Sequence, residues 1–231
     1  MITLRSVPAT GTTWVDALDP DDAELADLAR TFRYSDAVVG WLHDSQRGAR
    51  PHQLDDTLVF ALPIPPADTR TGEASATDPA VLVVVGRCEL LTVHGAALGT
   101  TIDALAHPVD QTDPDRAAAL VLALIDEIVE RYEIVVDQLT EQQAAHGTRI
   151  LQRARGSQSP ADIVADSLEL ATDVDRVLSR LRALRQVVAG LRRIASTGDT
   201  SPAFTDALDG SDRTSRLWRP TSATSATASR S

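Results

Sequence analysis

The chain has 231 residues, with 33 acidic against 22 basic side chains and a formal net charge of -11, and its length allows one large or two small domains and a sizeable core. That charge excludes a nucleic-acid partner, whose phosphates need a clustered positive surface, and disfavours anionic membrane surfaces for the same reason. One cysteine, Cys88, supports neither an intramolecular disulfide nor a zinc cage, and the N-terminus lacks the basic-then-apolar pattern of a secretory signal, so a cytoplasmic, reduced location is expected.

All 22 basic residues are arginine and aromatics make up only 3% of the chain. Ala, Val and Leu supply most of the apolar content, which suits helices packed closely along small and branched side chains. In chain order, Thr12 to Leu18 reads as a strand. A helix start follows, with Asp19 as the expected N-cap, Pro20 at the first helical position, and Asp21 and Asp22 where the helix dipole favours negative charge. This helix is expected to reach about Phe32, with Leu25, Leu28, Ala29 and Phe32 as its buried stripe. A second short helix is expected from about Ser35 to Asp44, and Arg50-Pro51 leads back into a strand.

Thr57 to Leu62 is a short apolar run closed by prolines, and Ala67 to Pro79 is polar and loop-like. The clearest hairpin pairs Ala80 to Val85 with Cys88 to Val93 around Gly86-Arg87, because glycine first in a two-residue loop suits a type II′ turn. A short helix over Thr100 to Ala106 closes the N-terminal unit. The elements predict a mixed sheet with helices on its faces, an α/β/α arrangement over residues 1–110.

From Asp113-Pro114 the pattern becomes one long helix reaching about Arg153, with Val121, Ile125, Ile128, Tyr132, Val135 and Leu139 spaced alternately by four and three. At 1.5 Å per residue such a helix is about 60 Å long. Gly156 to Pro160 breaks it, and Leu170, Val174, Val177, Leu181, Leu184, Val188 and Leu191 repeat the heptad signal. Residues 111–197 are thus expected to form a long antiparallel helical hairpin, and residues 198–231, low in complexity and rich in Ser, Thr and Ala, a disordered tail.

No catalytic constellation stands out. The five histidines form no i, i+3 or i, i+4 pair, and there is no glycine-rich phosphate loop, Gly-x-Ser-x-Gly elbow or Cys-x-x-Cys. Cys88 is expected to be a small hydrophobe rather than a nucleophile. Asp126, Glu130, Glu133 and Asp137 do line one side of the first long helix. The row is a solvated acidic face, or one matched by the second helix's Arg176, Arg180, Arg182 and Arg185, or facing subunits contribute such carboxylates to weak Mg²⁺ sites.

Between about Thr13 and Thr197 the chain resembles the cytoplasmic portion of the CorA family of magnesium and cobalt channels. Trp14-Val15-Asp16 is similar to the family's Trp-hydrophobic-Asp/Asn strand, and Arg50-Pro51 with Leu58 to Leu62 to its Arg-Pro-then-apolar strand. Cys88 to His94 matches its second hairpin strand. The best match is Leu124-Ile125-Asp126-Glu127-Ile128-Val129-Glu130-Arg131-Tyr132, which resembles Leu-Ile-Asp-x-hydrophobic-Val-Asp-x-Tyr.

The resemblance implies an α/β/α domain feeding a helical hairpin, pentameric assembly, and intracellular Mg²⁺ sites between subunits that hold the channel closed. Of the family's site residues only Asp126 carries over, on the Asp of Leu-Ile-Asp; together with Glu130, the next member of the acidic row, it makes up the candidate metal ligands, with Mg²⁺ bound weakly. The family's acidic pair on the second short helix falls on Gly40 and Trp41, so that half of the sensor is absent. Absent too are the family's two membrane helices and Gly-Met-Asn signature, because the chain has no asparagine and nothing after Ile194 approaches 20 apolar residues. The expectation is a non-enzymatic, CorA-like cytoplasmic domain related to divalent-cation transport, regulatory rather than conducting. Its expected partners are copies of itself or a full-length CorA-like protein, with membrane association only through that partner. The alternative is a helical-hairpin scaffold that binds another protein and has no metal role.

Overall fold

A computed structural model describes residues 2–6, 13–44, 50–65, 80–86, 89–95, 116–153 and 160–196. The apolar and β-branched runs supply most of six strands: β1 (Ile2–Ser6), β2 (Thr13–Leu18), β3 (His52–Leu54), β4 (Thr57–Pro63), β5 (Ala80–Val85) and β6 (Glu89–His94). They form one sheet in the order β1-β2-β6-β5-β4-β3. Only β2 and β6 run parallel among the neighbouring pairs, so the sheet is mixed, as expected. Helices α1 (Asp22–Phe32) and α2 (Asp36–His43) follow β2, and the long helices α3 (Arg116–Arg153) and α4 (Pro160–Ser196) follow β6.

Side chains alternate across a strand, so each central strand here feeds two cores. On one face Val15, Ala17, Val59, Val84 and Leu91 pack with Leu25, Leu28, Val38 and Leu42 of α1 and α2. On the other, Trp14, Phe60, Leu62, Val83 and Leu90 pack with Ile125, Ile128, Tyr132, Leu184 and Leu191 of the long helices. The layers are therefore α1/α2, sheet, hairpin. Two polar tethers fix the hairpin to the end of β4: the Tyr132 hydroxyl donates to Pro63 O at 3.2 Å, and the Arg180 guanidinium donates to Ile64 O at 3.0 Å.

Several local expectations are corrected. Helix α1 is capped by Asp21, whose carboxylate accepts from Glu24 N at 2.8 Å while the Glu24 side chain accepts from Asp21 N at 3.2 Å. This reciprocal capping box outcompetes Asp19, which instead takes a left-handed φ of 43° and donates its N–H to His94 O at 2.9 Å. The edge strands β1 and β3 were not expected as separate elements. In the β5–β6 hairpin Gly86 N donates to Glu89 O at 2.9 Å, which extends the ladder by one pair and moves the connection to residues 87–88, outside the described residues.

The α3 seam from Val121 to Leu139 is buried throughout. The α4 seam is buried only at Val177, Leu184, Val188 and Leu191, while Val174 is 37% exposed. Around Leu170, earlier in the same seam, α3 presents Gln142, His146 and Arg149 to a shared cleft instead of apolar side chains. The expected helix over Thr100 to Ala106 and the tail over 198–231 lie outside the described residues.

Candidate functional site

Asp126 and Glu130 lie one helical turn apart on α3, next to the buried stripe of Ile125, Ile128 and Val129. Asp126 is half-buried and Glu130 exposed, and Glu133 and Asp137 continue the row on the exposed side. Within the row's first turn Glu127 pairs with Arg131 at 3.2 Å. Among the described residues no three His, Cys, Asp or Glu side chains gather into a group able to hold a metal ion. The structure thus places Asp126 and Glu130 along one helix but assembles no complete coordination shell from the described residues. Mg²⁺ retains several waters and needs only one or two protein carboxylates. Of the arginines offered as counter-charges, Arg176 pairs with Asp173 at 3.2 Å on its own helix and Arg180 reaches Ile64 O.

A second polar group, which the sequence motifs do not announce, sits inside the sheet's hairpin-facing core. Parallel pairing sets Asp16 opposite Thr92 and Leu18 opposite His94, so Trp14, Asp16, Thr92 and His94 share one face. The Trp14 indole N–H donates to Thr92 Oγ1 at 3.1 Å, and the Thr92 hydroxyl donates to Asp16 Oδ1 at 2.7 Å. His94 Nε2 lies 3.0 Å from the same oxygen, and its Nδ1 lies 2.9 Å from Gly95 O. Burial alone would lower the His94 pKa, but the hydrogen bonds to Asp16 and Gly95 and the charges of Asp16 and Asp19 outweigh it and raise it above the ordinary value.

A third group fills the distal half of the hairpin with polar contacts. Ser167 Oγ donates its single proton to Ile163 O at 2.7 Å and so accepts from His146 Nε2, also at 2.7 Å. Arg149 pairs with Asp166 at 2.8 Å across the helices. His146, Arg149 and Asp166 border a cleft of about 200 Å³ with Glu169 and Asp173. Burial raises the Asp173 pKa against the pull of Arg176, and the Glu169 charge adds to the rise.

Against known proteins, the model of the family described as CorA-like Mg²⁺ transporter protein matches residues 9–224. The complete CorA magnesium transporter structure from Methanocaldococcus jannaschii is similar at a TM-score of 0.67 and 19% identity, over 89% of this chain and 63% of that one. The soluble domain of CorA from the same organism is similar at a TM-score of 0.66 and 18% identity, over 90% of this chain and 80% of that one. The cytoplasmic domain of ZntB from Vibrio parahaemolyticus shares the fold at a TM-score of 0.55 and 11% identity, over 89% of this chain and 79% of that one. No curated protein matches the chain. This chain therefore spans under two thirds of the length of the complete transporter, and no helix among its described residues is long and apolar enough to cross a membrane.

Proposed function

Because the chain belongs to the CorA-like Mg²⁺ transporter family, we propose that it is a cytoplasmic, divalent-cation-responsive domain that regulates magnesium or cobalt transport rather than conducting ions or catalysing a reaction. The family match over residues 9–224 carries this reading. Asp126 and Glu130 are the proposed ligands, and the outward row of Glu133 and Asp137 supports them by concentrating negative charge beside the site. A hydrated Mg²⁺ on these two carboxylates leaves room for groups from a neighbouring subunit or a full-length CorA-like partner, so the assembled form is the one that binds.

The test is thermal denaturation of the full chain with Mg²⁺, alongside NaCl at matched ionic strength. At tenfold excess over Kd, one site stabilises the folded or assembled state by about 1.4 kcal/mol, a rise in Tm of a few degrees. Asp126→Asn is expected to remove most of that rise. Equal rises in the variant and in NaCl would show screening of the acidic surface and no site.

One observation favours the scaffold reading: Val164 and Leu168 on α4 are 59% and 64% exposed, and Val174 and Leu178 continue the apolar positions along the same helix. Such residues serve protein contact without any metal. A normal Mg²⁺ response that survives Leu168→Ser would assign these positions a separate role, whereas a partner-dependent function with no Mg²⁺ response would replace the transport reading.

A further inference from the structure

Asp16 and His94 form a buried contact that the cation-site reading does not use. Their side chains are 8% and 1% exposed, with Oδ1 and Nε2 3.0 Å apart. Nδ1 of the same ring faces Gly95 O at 2.9 Å, so both ring nitrogens face oxygen acceptors. A neutral imidazole has one N–H and satisfies only one of them, whereas the imidazolium donates to both. The rest of the chain of bonds agrees. Trp14 N–H donates to Thr92 Oγ1, the Thr92 hydroxyl donates to Asp16, and two donors thus converge on one carboxylate oxygen. The Thr92 hydroxyl and His94 Nε2 both aim at Asp16 Oδ1, an arrangement that suits a negative charge on Asp16 and a balancing positive charge on His94.

Its position gives the pair a consequence. It sits where the parallel strands β2 and β6 end, and the backbone closes the same point through Asp19 N to His94 O at 2.9 Å. Past Asp19 the chain turns through Pro20 into α1, on one face of the sheet. We propose that Asp16 and His94 form a proton-operated latch: protonated His94 holds the ends of β2 and β6 together, and loss of that proton loosens the point from which the chain leaves β2 for α1. A deprotonated ring would leave a nitrogen lone pair against an oxygen and strip Asp16 of its charged donor inside the core.

Among the described residues the charged groups acting on His94 are Asp16 on β2 and Asp19 just beyond it. On the hairpin side α3 contributes Leu120, Val121 and Leu124 to a small apolar cavity beside Trp14 and Thr92, and these add no charge. Because the folded pKa of His94 is raised, the latch is fully closed below the unfolded histidine value of about 6.5 and is lost as pH rises through the folded value.

The experiment follows the ring nitrogens of ¹⁵N-labelled histidine in the full chain by NMR, without Mg²⁺, together with the exchange protection factor of the Asp19 amide. The His94 ring is expected to titrate above 6.5, and the Asp19 protection factor to fall across the same range by up to about tenfold per pH unit, the limit for one linked proton. Asp16→Asn is expected to lower the His94 midpoint and abolish the pH-dependent step at Asp19. If that variant fails to fold, the wild-type titration decides alone. A His94 midpoint at or below 6.5, or an Asp19 protection factor unchanged across the His94 titration, would overturn the latch.

Discussion

Thr92 is the hinge of the buried polar group at the scale of single residues. Its hydroxyl accepts from Trp14 and donates to Asp16, so one side chain satisfies an indole N–H and half-solvates a carboxylate. Thr92→Val keeps the shape and removes both bonds, leaving a buried N–H without its acceptor and a buried carboxylate with one donor fewer. The expected cost is about 2 to 3 kcal/mol, seen as a fall in Tm of about 4 to 12 °C in a chain of this length. A Tm within 1 °C of the parent, or about that, would mean water replaces the hydroxyl and the group is not sealed. This group was not legible in the sequence, because Asp16 and His94 are 78 positions apart and only the parallel register of β2 and β6 joins them. The row holding Asp126 and Glu130 was legible, since its members repeat at helical spacing along one segment.

Individual elements were readable wherever apolar periodicity is strong and several turns long, as in the α3 seam from Val121 to Leu139. Strands β1 and β3 escaped for a physical reason: edge strands are held by backbone pairing on one side and need little apolar content, and β3 is only three residues with an exposed start. The distal half of α4 misled in the other direction, since a heptad on one helix buries nothing unless its partner answers it. Helix α4 also contains a contact that helix propensity misjudges. Gly190 packs against Pro51, and a Cβ there would overlap the proline's Cδ and Cγ. Gly147 on α3 has open space around the same added atom. Propensity alone makes both Gly→Ala changes stabilising by about 1 kcal/mol. The packing divides them: Gly147→Ala is expected to stabilise by roughly that amount, and Gly190→Ala to destabilise by about 1 to 3 kcal/mol, since the proline ring is anchored in the backbone leading to β3. Urea titrations give both signs directly. Stabilisation by Gly190→Ala would show that the hairpin does not press on the Arg50-Pro51 segment.

Across the whole molecule, stability is distributed unevenly along the hairpin. Its base shares one continuous core with the sheet, from Trp14 and Phe60 to Ile125, Tyr132, Leu184 and Leu191, and is tied to β4 by Tyr132 and Arg180. Its distal half is joined instead by the His146–Ser167 hydrogen bond and the half-exposed Arg149–Asp166 pair. A net hydrogen bond contributes about 1 kcal/mol and an exposed ion pair about 0 to 1, far less than burying several large side chains at about 1.5 to 3 kcal/mol each. The distal half is therefore expected to open without the base. In native-state hydrogen exchange, amides of residues 142–150 and 163–170 should exchange through local openings whose free energy barely changes with low concentrations of urea. Amides of residues 125–132 and 184–191 should exchange only through global unfolding, with the full denaturant dependence of the equilibrium transition. The same experiment on Thr92→Val separates the two regimes a second time, because a loss in the sheet core lowers protection at the base and leaves the distal half where it was. Equal protection at both ends, falling together in the variant, would mean that the polar distal seam is as cooperative as the apolar one and that the hairpin opens only as a whole.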